Sequence, residues 1–150
     1  MFAAVLFAFP VWPVAPCVRA EKPVAVTIVV VMATGANATV DPKLKELAKE
    51  VQKRDPKLTG YRIAATESRS IAVGDSATIA LADKQTLLVK INKQKDENER
   101  ITLELTPPQM EAITYACACD KFFPVITPYK TKDGEQLIIA VMAKPCTGKK

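Results

Sequence analysis

The sequence predicts an α+β fold in which one amphipathic helix packs on a mainly antiparallel β-sheet. Three observations carry that expectation. A single stretch, residues 41–54, has apolar residues at helical spacing. From Tyr61 onward the apolar residues recur at every second position. The length of 150 residues, with 49% hydrophobic and 25% charged side chains, suits one globular domain and is short for two.

Before the first element lies a stretch of different character. Met1 to Val18 carry no charge and are followed by Arg19-Ala20-Glu21-Lys22. A short apolar core ending in small residues is the pattern of a secretory signal peptide, so residues 1–20 are expected to be cleaved before Glu21, leaving residues 21–150 as a single domain. A retained anchor and a lipoprotein signal at Cys17 are the rival readings. Pro10, Pro13 and Pro16 count against a spanning helix because they remove backbone donors, and Pro16 fits poorly just before a lipidated cysteine. Removal of the segment takes Arg19 with it and lowers the formal charge from +5 to +4.

Val24 to Ala33 is a continuous apolar run rich in Val and Ile, which predicts a strand buried on both faces. Thr34 to Thr39 is a loop of small and polar residues that includes the glycosylation sequon Asn37-Ala38-Thr39. The helix follows. Asp41 is placed to accept from the open amides of its first turn, Pro42 loses no needed donor, and Leu44, Leu47, Ala48 and Val51 make one stripe. Glu50 is spaced to pair with Arg54, and Asp55-Pro56 ends the helix.

The strands that follow are expected around Tyr61 and Ile63, then Ile71 and Val73 before the Gly74-Asp75 turn. Ile79 and Leu81, then Leu87, Val89 and Ile91, then Ile101, Leu103 and Leu105 read as an antiparallel meander with one buried face. Lys93 to Glu99 makes its polar tip. Ile113, Tyr115, Cys117 and Cys119 share one face of the next strand, and Phe122-Phe123-Pro124 bends the chain. Lys132-Asp133-Gly134 is a hairpin turn between Val125–Thr131 and Glu135–Ala143. Leu137 to Met142 is apolar on both faces and predicts a central strand.

The chain contains no histidine. Ser-His-Asp and Cys-His nucleophilic sites and His-ligated metals are therefore impossible within it. Gly74-Asp75-Ser76 lacks the base a serine nucleophile needs, and Gly148-Lys149-Lys150 lacks the glycine and the helix of a phosphate loop. Glu46 and Glu50 share a helix face, where they repel rather than act as an acid/base pair. The basic residues between Lys43 and Lys57 are interleaved with Glu46, Glu50 and Asp55, without the one-signed stripe that nucleic acid demands. No catalytic residue, cofactor or nucleic-acid partner is expected.

Cys117, Cys119 and Cys146 remain once the leader is gone. Folding the last hairpin about Asp133-Gly134 sets residue 121 opposite Cys146 and Cys119 diagonal to it, and a register shift expected from Pro124 and Pro128 keeps Cys117 as the alternative. A disulfide from Cys119, or from Cys117, to Cys146 is the first expectation for an exported chain. The alternative is a soft metal or thiol-redox site made from the same three sulfurs. Phe122, Phe123 and Pro124 form the surface expected to meet a partner if the bend is exposed.

The order strand, helix, meander resembles the cystatin-like arrangement, but the Gln-x-Val-x-Gly wedge is absent, and the likeness implies topology without protease inhibition. The chain is also similar to small exported bacterial proteins that combine a signal peptide, one helix of the Asp41-Pro42-Lys43-Leu44 type and a β-rich remainder ending near Ala143-Lys144-Pro145-Cys146. That resemblance implies no site residues. The resulting expectation is an exported, non-catalytic binding or structural module in the periplasm or outside the cell. Its partner would be a protein or cell-envelope component, with no stable membrane span once the leader is removed.

Overall fold

The computed structural model describes residues 22–93, 100–118 and 121–145. They form one amphipathic helix and eight strands in two antiparallel four-stranded sheets. The expected leader, the expected polar tip at 94–99, Cys119 and Cys146 lie outside the described residues.

β1 (Val24–Thr34) is flanked by β2 (Gly60–Ile71) and β8 (Gln136–Pro145), and β7 (Phe123–Lys130) completes the first sheet in the order β2-β1-β8-β7. Alternation of side chains sends Val24, Val26, Ile28, Val30 and Met32 to one face, all 2% exposed or less. The other face takes Ala25, Thr27, Val29, Val31 and Ala33. Burial on both faces holds from Val30 to Ala33, while Ala25, Thr27 and Val29 are only half-buried. β8 is likewise central: Leu137 to Val141 are all buried.

The expected meander is present as β3 (Ser76–Ala80), β4 (Thr86–Lys93) and β5 (Arg100–Thr106), and β6 (Ile113–Ala118) joins its far side. These strands do not extend the first sheet around the helix. They form a second sheet that stacks on its inner face. The reason lies in the side chains. Ile79, Leu87, Val89, Ile91, Ile101, Leu103 and Leu105 are fully buried and form one continuous core with the even-numbered residues of β1 and with Leu137, Ile139 and Val141. Two apolar faces of similar area bury each other.

The helix occupies the opposite, outer face of the first sheet. Asp41 Oδ1 accepts from the Lys43 amide at 2.9 Å, as expected, but the first turn is a 3-10 turn (Pro42–Leu44) and only Lys45–Arg54, α1, is α-helical. Leu44, Ala48 and Val51 are buried against Val31, Ala33, Tyr61 and Ile138. Glu50 pairs with Lys53 at 2.8 Å instead of with Arg54, because the i,i+3 neighbour reaches it first, and that hydrogen bond holds its carboxyl below the usual carboxylate range. The loop before the helix is drawn against the sheet at Gly60, where a Cβ would stand 2.2 Å from Asn37 Oδ1. A larger residue there would displace the Asn37 side chain, which accepts from the Thr39 amide.

The last hairpin turns as expected at Gly134, whose φ of +80° suits glycine. Its register differs. Val125 faces Ile139 and Phe123 faces Val141, with a shift before Lys130 faces Gln136. β6 is not a continuation of this hairpin. It belongs to the second sheet, where Cys117 faces Ile101. Cys119 and Cys146 lie outside the described residues, and no disulfide is formed among the described residues. The Cys117 side chain turns into the core, 7% exposed, and its thiol donates to the Ile101 carbonyl at 3.4 Å.

Candidate functional site

The placement of the helix decides where the molecule is left open. Its first turn lies beside β2 and α1 reaches β7, so it crosses the sheet over Val31, Ala33, Tyr61 and Ile138. That end of the outer face is covered, while Ala25, Thr27 and Val29 towards the other end stay half-buried. At the boundary lies a groove of about 340 Å³. Val29 from β1, Ile63 from β2 and Ala140 from β8 make its floor, and Leu44 and Leu47 make one wall. Phe122 makes the other. Lys43 and Glu46 border it from the helix side, and Thr27 and Thr66 lie on the sheet face beside Val29.

Phe122 occupies the connection by which the chain passes from β6 in one sheet to β7 in the other. The three residues of the bend divide their work. Phe123 turns to the sandwich and rests against Tyr115, with ring centroids 4.9 Å apart and planes at 36°. Pro124 is half-buried opposite Ala140 and keeps the edge of the first sheet short of an amide. Phe122 stays 47% exposed. On its other side it borders a second hollow of about 370 Å³ with Tyr115, Cys117 and the cations Arg54 and Lys121. One exposed ring thus stands between two depressions. The only other large apolar side chain exposed to this degree among the described residues is Leu88, 42% exposed on the outer face of the second sheet.

The remaining polar hollows lie at one end of the sandwich. Arg62 binds Glu135 at 2.8 Å, and the Tyr129 hydroxyl donates to Asp83. That hydrogen bond, more than burial, raises the Tyr129 pKa above its ordinary value. These carboxylates each serve a cation or a phenol, and none shares a proton with another acid. Among the described residues no three of Cys, Asp and Glu converge as a metal site. The thiol of Cys117 is 7% exposed and donates to the Ile101 carbonyl.

The bend was legible in the sequence because two aromatic residues stand beside a proline. The groove was not, because Val29, Ile63 and Ala140 come from three strands whose order no local pattern reveals. Among the described residues no helix is long and apolar enough to cross a membrane. Comparison with protein families, curated proteins and solved structures finds no match to this chain.

Proposed function

We propose that this chain is an exported, non-catalytic binding module, and that its binding surface is the groove between α1 and Phe122. The observation that carries the reading is the groove itself, an apolar floor open to solvent with a half-exposed phenylalanine beside it. Its volume lies at the low end of the ~300–1,000 Å³ common to ligand pockets. A small-molecule site would aim a few polar groups inward to orient its ligand. Here the charged groups of the lining, Lys43 and Glu46, are exposed on the helix side and the polar sheet residues are two threonines, which suits a protein interface with an apolar centre. The occupant is therefore a partner protein that inserts one apolar side chain between Leu47 and Phe122.

Short extended peptides with a central Leu, Phe or Trp are the probes for this reading. They bind the purified protein, and Phe122→Ser or Leu47→Lys weakens them about tenfold or more, equivalent to ~1.4 kcal/mol. Leu88→Ser, an equally exposed apolar residue on the other sheet, leaves binding unchanged. Binding that survives Phe122→Ser, or that Leu88→Ser weakens as much, would overturn the assignment.

Export and a bridge between Cys119 and Cys146 belong to the same proposal, with Cys117 inside the core and the bridge tying down the carboxy-terminal end. The native protein then begins at Glu21. Unfolded without reductant it shows one reactive thiol, and after reduction three. A native protein that starts at Met1 in the cytosol, or three thiols before reduction, refutes this part.

A further inference from the structure

The outermost strands of the two sheets are not alike. β7 carries Pro124 and Pro128, β3 has five residues and β6 has six. Prolines and short length are the usual defences of a sheet edge. β2 has neither. It runs for twelve residues without a proline, and only its start is covered, by the bridge from Val40 to Tyr61. No described strand pairs with its outer side beyond that point.

A register shift splits β2. Val30 pairs with Ala65 and Val31 with Ile63, so the regular half is Ala65–Ile71, with Ser68 at its midpoint. Within that half Glu67 and Arg69 lie on one face and bind each other at 2.6 Å. Two copies of one edge strand can pair antiparallel about a two-fold axis only if the axis passes through a residue, because both partners must present outward-pointing amides and carbonyls. An axis at Glu67 sets Glu67 against Glu67, and one at Arg69 sets Arg69 against Arg69. An axis at Ser68 sets each Glu67 against the Arg69 of the other copy, with Thr66 against Ser70 and Ala65 against Ile71. The charge-matched register and the midpoint of the regular half coincide.

We infer that β2 is a homodimer edge: two copies of this chain join Ala65–Ile71 antiparallel about Ser68, making one continuous eight-stranded sheet. The inference does not depend on the groove: it rests on the backbone edge of β2 and the Glu67 and Arg69 charges, with Thr66 the one residue common to both. Both charged side chains are partly exposed, 31% for Glu67 and 51% for Arg69, so substitutions there leave the core intact.

Sedimentation of the purified protein across a concentration series tests it, with circular dichroism to verify folding. The wild type sediments at twice the chain mass. Arg69→Glu, which puts acids opposite acids, raises the dimer dissociation constant about tenfold or more. The double exchange Glu67→Arg with Arg69→Glu restores the dimer, because the two signs face each other again. A monomer at every concentration, a dimer indifferent to Arg69→Glu, or a double exchange that fails to restore it would overturn the inference.

Discussion

Tyr61 shows how single side chains join the layers. It is 2% exposed beneath the helix, and its hydroxyl donates to the Leu58 carbonyl at 2.7 Å. Burial, with a smaller contribution from the Asp55 carboxylate, pushes its pKa up to about 12 from the ordinary 10.0. The folded state therefore favours the neutral phenol. The stability this represents is fully present below pH 10 and is lost as pH rises from 10 to 12, a difference of about 3 kcal/mol across that window. Tyr61→Phe removes both the hydrogen bond and the titration. At neutral pH it costs about 1–2 kcal/mol by leaving the carbonyl without its donor. Denaturant midpoints of the two proteins should converge and then cross between pH 10 and 12, and parallel profiles would contradict the assignment. The sequence marked Tyr61 as a strand residue by its alternation with Arg62. Its hydrogen bond stayed hidden because the acceptor lies in the short turn after the helix.

The helix and the strands were legible to different degrees. Asp41-Pro42 and the Leu44, Ala48, Val51 stripe sufficed to locate the helix, since capping and 3.6-residue spacing are local properties. Asp41→Ala removes the side-chain acceptor of the Lys43 amide and should lower stability by about 1 kcal/mol. Asp41→Asn, which keeps an acceptor, should recover most of it, and equal losses for both substitutions in thermal unfolding would show that the cap is unimportant. The strands of the second sheet were also legible, because one solvent face and one core face enforce a period of two. Which sheet each strand joins was not. β6 reads as a natural lead into the last hairpin, yet it pairs with β5, and the polypeptide changes sheets at the aromatic bend. Pairing partners far apart in sequence leave no periodic mark. A shift of the register about Asp133-Gly134 was legible from Pro124 and Pro128, and it lies between Ile126 and Lys130.

At the scale of the whole molecule, three layers share one central sheet whose two faces have different fates. The inner face is covered along its length by the second sheet. The outer face meets a helix of ten residues that covers only one end. The floor of Val29, Ile63 and Ala140 stays open beside the start of the helix, at Lys43, Leu44 and Leu47, with Phe122 at its other side. The absence of histidine had already removed most nucleophilic and metal chemistry, and the architecture adds a surface suited to an apolar anchor. The most direct test of this account is to follow backbone amide chemical shifts during titration with an apolar peptide. The account predicts perturbations concentrated at Val29, Leu47, Ile63, Phe122 and Ala140. Shifts centred on Leu88 and the outer face of the second sheet, or spread evenly over the molecule, would contradict it.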